Sequence, residues 1–157
     1  MGCDMTATID KYLAETIIST FGKIDKVCLA IDRYLLNVGS YPSVFDDSIT
    51  ILYNNLTQQI IRKSKLIRFK SLVLSCVKAL KMRDRQIFEV LTKLKNTKKE
   101  DICILLDITE RTFFRRIENL YKNLAESIRC SRESQFVLDV CENEYFIYSN
   151  YEPIKKR

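Results

Sequence analysis

The sequence contains no histidine, the side chain that proteins use most often for acid–base catalysis and for binding zinc. It has six cysteines, but no two of them form a Cys-x-x-Cys pair. Zinc with its usual ligands is therefore not expected, and the sequence indicates no other metal or cofactor. It also lacks a glycine-rich phosphate loop, a nucleophile elbow and carboxylates at metal-ligating spacing. These absences predict a protein that is not an enzyme.

Long apolar runs are also absent, because none approaches the ~20 residues that a membrane-spanning helix needs. No secretory signal is recognisable, so we expect a cytoplasmic protein without a membrane partner. Three cysteines, Cys28, Cys76 and Cys103, lie within apolar stripes at helical spacing. We interpret them as small core residues in a reducing compartment, and disulfides are not expected.

Glycine and proline are scarce, with three and two among 157 residues, and this scarcity predicts a mainly α-helical chain. Apolar residues from Ile9 to Leu36 recur at helical spacing, which predicts one long helix, or two with a bend at Gly22. The clearest break is the turn at 38–42, which contains both Gly39 and Pro42. A second amphipathic pattern follows it and extends to about Lys63.

Further along the chain, a weaker break at residues 64–65 predicts that a third helix begins there and covers 66–80. Asp84 is predicted to cap a fourth helix over 85–94. Near the C-terminus the β-branched and aromatic runs QFVLDV and YFIYS flank a polar segment. This pattern favours a small β-hairpin within 131–151 over a continued helix.

Residues 97–124, TKKEDICILLDITERTFFRRIENLYKNL, have the pattern of a helix-turn-helix. Thr97 and Glu100 form a capping box that predicts the start of the first helix, and Asp107 is in the turn. Thr109 is predicted to cap the second helix. The apolar stripe predicted for the first helix is Ile102, Leu105 and Leu106.

The second helix of this motif has one apolar and one polar face. The apolar face, predicted to be buried, contains Phe113, Ile117, Leu120 and Leu124. The opposite face carries Arg111, Phe114, Arg115 and Lys122. In a helix-turn-helix the N-terminal residues of the second helix enter the major groove of DNA, and the start of the first helix meets phosphate. The predicted DNA-binding residues are therefore Lys98, Lys99, Thr109, Glu110, Arg111, Thr112, Phe114 and Arg115.

The segment ITERTFFRRIENLYKNLA resembles the end of phage late-transcription activators of the ArpU/RinA type, whose recognition helices open with a similar Ser-Glu-Arg-Thr-aromatic-aromatic-Arg run. Together with LKMRDRQIFEVL upstream, residues 70–128 are also similar to the DNA-binding region that sigma factors use at the −35 promoter element. The resemblance implies a sigma-region-4-like domain in a transcription regulator. Two positions depart from the usual pattern: Asp107 replaces a turn glycine, and Cys103 replaces the usual small residue.

The net charge of +6 is unevenly distributed along the chain, with −3 in residues 1–47, +10 in 48–129 and −1 in 130–157. No carboxylate occurs between Asp47 and Asp84. Because this basic stretch directly precedes the helix-turn-helix, we interpret it as a shoulder that contacts DNA phosphates. The alternative is a solvated helix surface. The residues assigned to this shoulder are Arg62, Lys63, Lys65, Arg68 and Lys70.

These patterns divide the chain into three regions: an N-terminal helical region for interaction or dimerisation (1–63), a DNA-binding domain (64–129) and a C-terminal extension with the hairpin and a basic tail (130–157). The predicted function is sequence-specific binding of double-stranded DNA in transcription control. The alternative is a helix-turn-helix that binds a protein such as RNA polymerase without reading bases. The helices within 9–63 could form a homodimer or close a single core.

Overall fold

The computed structural model describes the backbone of residues 2–38 and 46–155, and the side chains of residues 10–37 and 50–144. All regular secondary structure in these ranges is helical, which confirms the predicted mainly α fold. The helices are α1 (Gly2–Val38), α2 (Asp46–Lys78), α3 (Met82–Lys93), α4 (Lys99–Leu106), α5 (Glu110–Cys130) and α6 (Ser134–Lys155). Of the turn predicted at 38–42, Val38 is instead the last residue of α1, and the other four residues lie outside the described part.

The first two helices are longer than the sequence predicts. Helix α1 passes through Gly22 without a break, and α2 continues through residues 64–65, where a break was predicted. The predicted break is wrong because residues 64 and 65 are on the exposed face of the helix, while its inward face continues past them, half-buried at Gln59 and Arg62 and then as a buried stripe. This stripe comprises Leu66, Phe69, Val73 and Val77, at spacings of three and four residues.

The C-terminal region forms a helix rather than the predicted β-hairpin. In α6 the buried residues Val137, Val140, Cys141 and Glu144 recur at helical spacing, and the helix packs against α1, α2 and α5. Burial of this stripe overrides the strand preference of the β-branched and aromatic residues, because strand propensity depends strongly on tertiary context. The helical backbone extends to Lys155, so it includes part of the predicted basic tail, whose last two residues are outside the described part.

Two predicted helix starts are also wrong. Helix α4 begins at Lys99 rather than after a cap at Thr97, whose N–H instead donates to the carbonyl of Leu94 in the turn that follows α3. Helix α3 begins at Met82, so Asp84 lies inside its first turn. The Asp84 carboxylate is buried and accepts a 2.8 Å hydrogen bond from the side-chain amide of Asn123 on α5. Asp84 therefore connects two helices instead of capping one.

A single hydrophobic core includes residues from all six helices. Its largest fully buried side chains come from α1, α2, α3, α5 and α6, and include Phe69, Ile17, Ile24, Leu120 and Leu124. Helix α2 crosses the boundary predicted at residue 63, so the three predicted regions share this core. Helix α5 packs against α1 and α3, whereas the short α4 packs mainly against α5. The helix-turn-helix is therefore built onto the central core through α5.

Gly22 gives a direct test of the α1 geometry. A Cβ at this position would lie 2.4 Å from Cε and 2.5 Å from Nζ of Lys95, the far end of a flexible side chain that can move. We expect Gly22→Ala to raise the free energy of unfolding by about 0.5–1 kcal/mol, because alanine loses less conformational entropy than glycine when it enters a helix. Ala30→Gly, at an exposed position of the same helix, should lower the free energy of unfolding by a similar amount. Urea denaturation measures both, and a loss of stability in Gly22→Ala would show that Lys95 is held in place.

Candidate nucleic-acid interface

The turn between α4 and α5 has the geometry that the sequence predicts. Asp107 adopts a left-handed conformation, with φ 54° and ψ 50°. The next residue, Ile108, donates its N–H to the carbonyl of Cys103 at 3.0 Å, and the Asp107 N–H donates to Ile104 at 3.2 Å. These two bonds close the end of α4 as in a Schellman motif. Aspartate is among the non-glycine residues that enter this conformation most often, so it can replace the glycine usual at this position.

Thr109 caps α5 as predicted. Its hydroxyl oxygen accepts a hydrogen bond from the backbone N–H of Thr112 at 3.2 Å and donates one to the Thr112 hydroxyl at 2.9 Å. The cap satisfies one of the N–H groups that have no partner within the first turn of a helix. It also fixes the start of the helix, so Glu110 and Arg111 lie in its first turn.

The rotation of α5 about its axis is the one predicted. Phe113 is 4% exposed and its neighbour Phe114 is 49% exposed, so the two aromatic rings lie on opposite sides of the core boundary. Leu120 and Leu124 are fully buried, and Ile117 packs against the core. The outward face carries Arg111, Phe114, Arg115 and Lys122. This face is available to a ligand, whereas the inward face is occupied by the protein itself.

The buried stripe of α4 differs from the predicted one. Ile102 and Cys103 are buried and Leu106 is half-buried, whereas Leu105 is largely exposed. The difference arises because α4 is only eight residues long and packs mainly against one neighbour, α5, so it buries a narrow stripe. Ile104 and Leu105 consequently form an exposed apolar pair on the helix-turn-helix.

The predicted base-contacting residues lie together at the start of α5, and a lysine from α4 joins them. Lys99 Nζ is 3.4 Å from Glu110 Oε2 and 5.0 Å from the ring centre of Phe114. Both members of the ion pair are partly exposed, and such pairs contribute about 0–1 kcal/mol, so a ligand can displace this one at little cost. Arg111 is exposed and forms no ion pair within the described residues. Lys98 precedes α4 and is also exposed.

Most cations of the predicted phosphate shoulder form ion pairs within the protein. Four of its five residues form ion pairs with carboxylates of other segments: Arg62 with Glu144 at 2.8 Å, Lys63 with Asp32 at 2.5 Å, Arg68 with Glu133 at 2.5 Å, and Lys70 with Asp25 at 2.8 Å. These contacts connect α2 to α1, to α6 and to the segment before α6. The shoulder is therefore not the free basic surface that the sequence indicates, because the fold places carboxylates beside it. Within the part of the chain that the structure describes, Lys65 alone of the five is in no such pair.

A different basic cluster, which sequence reasoning missed, lines a pocket of about 340 Å³ between the start of α3 and the outward side of α5. We call it the α3–α5 pocket; its lining residues are Lys81, Arg83, Asp84, Arg115, Arg116, Asn119 and Asn123. Four of them are cationic, and no ion pair within the described ranges neutralises them. The N-terminal end of α3, which is the positive end of its dipole, adds to this potential. Arg115 was predicted as a contact residue, but its proximity to Lys81 and Arg83 exists only in the fold.

Other kinds of site find little support in the described part of the chain. No group of three or more Cys, Asp or Glu residues there is arranged to hold a metal ion. Burial raises the pKa of the Cys28 thiol, and it raises that of Cys141 to about 11, so both stay protonated at neutral pH and are poor nucleophiles. Among the described helices, none has a stretch apolar and long enough to cross a lipid bilayer.

Comparison of the chain with models of known protein families, with characterised proteins and with solved structures gives no match.

The ion pairs of α2 differ in burial, and this difference predicts different effects on stability. The Glu144 carboxylate is buried, so Arg62→Met would leave an uncompensated charge in the core, at a cost of about 3 kcal/mol or more. Lys70→Met leaves Asp25 largely in water, so the expected loss is at most about 1 kcal/mol. Guanidinium denaturation of the two variants measures the difference. Equal losses would show that water reaches the Glu144 carboxylate once Arg62 is removed.

Proposed function

We propose that this protein binds double-stranded DNA through the helix-turn-helix of α4 and α5 and regulates transcription within the cell. The observation that carries the proposal is the division of α5 into two faces. One face is held in the core by Phe113, Leu120 and Leu124, while the other presents Arg111, Phe114 and Arg115 to solvent. A helix that is rigidly anchored on one side and carries basic and aromatic residues on the other suits insertion into the major groove. The resemblance to phage late-transcription activators and sigma factors supports the same assignment.

Base reading is assigned to the first two turns of α5. The Arg111 guanidinium is exposed and has no carboxylate partner among the described side chains, so it can form the bidentate contact with guanine O6 and N7 that is the commonest specific arginine contact. Phe114 is half-exposed and can pack against a thymine methyl group. Glu110 can accept from a cytosine amine once Lys99 leaves it for a phosphate. Thr109 and Thr112 fix the position of these side chains through the cap.

Phosphate binding is assigned to the α3–α5 pocket rather than to the predicted shoulder. Arg115 lies one helical turn after Arg111, so the backbone flanking the groove would pass close to the pocket. The pocket cations Lys81, Arg83 and Arg116 are not neutralised within the described residues, whereas four of the five shoulder cations are. Lys98 and Lys99 add charge at the start of α4, a helix whose N-terminus has no side-chain cap. Uncapped N–H groups at a helix N-terminus are suited to bind phosphate.

A second candidate function is protein binding without base reading, for example to RNA polymerase. The observation in its favour is the exposed pair Ile104 and Leu105 on α4, since apolar side chains contribute little to contacts with phosphates. Salt dependence separates the two candidates. DNA binding that weakens steeply with added salt supports phosphate contacts, whereas no binding at low salt favours the protein-interaction function.

Arg111 provides the most specific test of base reading. After a preferred duplex has been selected from random sequences, we expect Arg111→Ala to reduce affinity for it by roughly tenfold or more, since a bidentate contact contributes about 1–3 kcal/mol of discrimination. Affinity for a scrambled duplex should change little. Binding titrations on both duplexes at one salt concentration measure the difference, and circular dichroism checks that the fold is unchanged. An equal loss on both duplexes would make Arg111 a phosphate contact, and no loss on either would remove it from the interface.

The assignment of phosphate contacts can be tested with two variants that change the net charge by the same amount. Lys81→Gln with Arg83→Gln removes two charges from the α3–α5 pocket, and Lys63→Gln with Lys70→Gln removes two from the shoulder. The pocket variant should bind all duplexes more weakly, and the slope of log affinity against log salt should become shallower by about 1.8 if each cation meets one phosphate.

The shoulder variant is the control, and it should retain nearly the parental slope because Asp32 and Asp25 already neutralise its lysines. The opposite result, a shallower slope only in the shoulder variant, would return the phosphate contacts to α2.

A further inference from the structure

The outward face of α2 carries a nearly uncharged seam with a repeat of seven residues, which we call the α2 seam. Its members are spaced alternately by four and three residues, and every one of them is exposed: Tyr53, Thr57, Ile60, Ser64, Ile67, Ser71, Leu74 and Lys78. A spacing of four and three residues, averaging 3.5, is the pattern by which one helix packs along another in a coiled coil. Only the last of the eight positions is charged.

The seam lies opposite the buried stripe of α2, and the described residues of the other helices do not cover it. Its large apolar members, Tyr53, Ile60, Ile67 and Leu74, are 70%, 55%, 52% and 36% exposed. Single exposed apolar residues are normal on protein surfaces, but these four recur every seven residues over about 32 Å, at 1.5 Å per residue. A row of large apolar residues of this length, separated only by uncharged threonine and serine, indicates an interaction site. By contrast, the exposed face of α1 includes the charged residues Lys26 and Arg33.

We propose that the α2 seam is the interface of an antiparallel homodimer. Large and small residues alternate along the seam, and this alternation is complementary to a second copy of the same helix. When two seams run antiparallel, Ser64 faces the partner's Ile67, and Ile60 faces the partner's Ser71. The same pairing places Thr57 against the partner's Leu74 and Tyr53 against the partner's Lys78. Each of the six inner layers then combines one large and one small residue, and each outermost layer sets a tyrosine ring against a lysine side chain.

The parallel arrangement fits less well. It would set serine against serine and isoleucine against isoleucine, so tight and empty layers would alternate along the interface. In the antiparallel arrangement the six inner layers have similar volumes, and their small residues let the helix axes approach closely. An interface that relates two identical surfaces by a two-fold axis is also the commonest way in which protein chains associate.

The ion pairs of α2 remove the main obstacle to this contact. Five cations between residues 62 and 70 would repel their counterparts on a second α2 helix. Lys63, Arg68 and Lys70, which flank the seam, are instead neutralised by Asp32, Glu133 and Asp25 of the same chain. The uncharged seam therefore lies between flanks whose charges are largely balanced, so two copies can approach each other. A polyanion or an anionic lipid surface would find little net charge here to bind.

The experiment measures the molecular mass of the full-length chain by analytical ultracentrifugation without DNA, so its result does not depend on the proposed DNA-binding function. We expect a dimer at micromolar concentrations. Ile60→Glu with Ile67→Glu should give a monomer with unchanged helicity. The matched control, Tyr12→Glu with Leu29→Glu, adds the same charge at exposed apolar positions of α1 and should remain a dimer. A parental chain that is monomeric throughout this range would overturn the proposal, and so would a dimer that survives the α2 substitutions.

A mixing experiment tests whether the occupant of the seam is a second copy, and in which direction it lies. The Ile60→Glu, Ile67→Glu variant and an Ile60→Lys, Ile67→Lys variant should each be monomeric alone and form a heterodimer when mixed. Failure to form it would refute the seam as a self-association surface. Single substitutions test the direction of the second copy. A mixture of Ile60→Glu and Ile60→Lys chains should associate no more tightly than either variant does alone, because the antiparallel pairing separates the two positions by about 17 Å. A gain in affinity would overturn the antiparallel arrangement.

Discussion

The packing of α5 against α1 and α3 positions the residues that we assign to base contacts. Helix α5 is both the second helix of the helix-turn-helix and a central element of the core, with Phe113, Leu120 and Leu124 on its buried side. Successive residues on a helix are separated by about 100°, so a rotation by one residue would bury Phe114 and expose Phe113. The loss of so much buried apolar surface would cost several kcal/mol, which holds the outward face in a single orientation.

The basic residues of α2 illustrate how one set of charges can have different roles. In the sequence they form a cluster without carboxylates, and a polyanion is the obvious partner. In the fold four of them are paired, and their contribution depends on burial: the exposed pairs contribute at most about 1 kcal/mol each, whereas Arg62 compensates a buried carboxylate. The larger effect of these ion pairs is that they lower the net positive charge on the surface of α2. Neutralising the flanks of the α2 seam makes close approach of two copies possible, and it leaves the α3–α5 pocket as the unpaired basic surface near α5.

The two helices of the helix-turn-helix differ in how firmly they are held. Helix α5 is embedded in the core, but α4 packs mainly against α5 and leaves Ile104 and Leu105 exposed. Few buried contacts mean low local stability, so we expect the amides of α4 to exchange with solvent faster than those of α5. A firmly anchored α5 suits base contacts, which need fixed geometry. A less firmly held α4 suits phosphate contacts, whose geometry can adapt. If the α2 seam joins two copies, two such units would be related by a two-fold axis, and their binding site would be a palindrome.

The sequence by itself determined the features whose physical causes lie within about one helical turn. The Thr109 cap depends on a residue three positions away, the Asp107 turn on the conformations open to aspartate, and the faces of α5 on helical periodicity. It also determined that the chain is mainly helical, because so few glycines and prolines interrupt it. Local patterns were ambiguous where two of them competed, as in α6, where the β-branched and aromatic runs also carry a stripe at helical spacing.

Only the tertiary structure decided the features that join distant parts of the chain. Arg62 meets Glu144 across 82 residues and Lys63 meets Asp32 across 31, so nothing near either cation in the sequence reveals its partner. The α3–α5 pocket likewise combines residues 81–84 with residues 115–123. Whether a charged side chain faces water, a carboxylate or a ligand depends on which helices pack together. That packing is set by the burial of apolar surface over the whole chain, which cannot be read from the neighbours of a single residue.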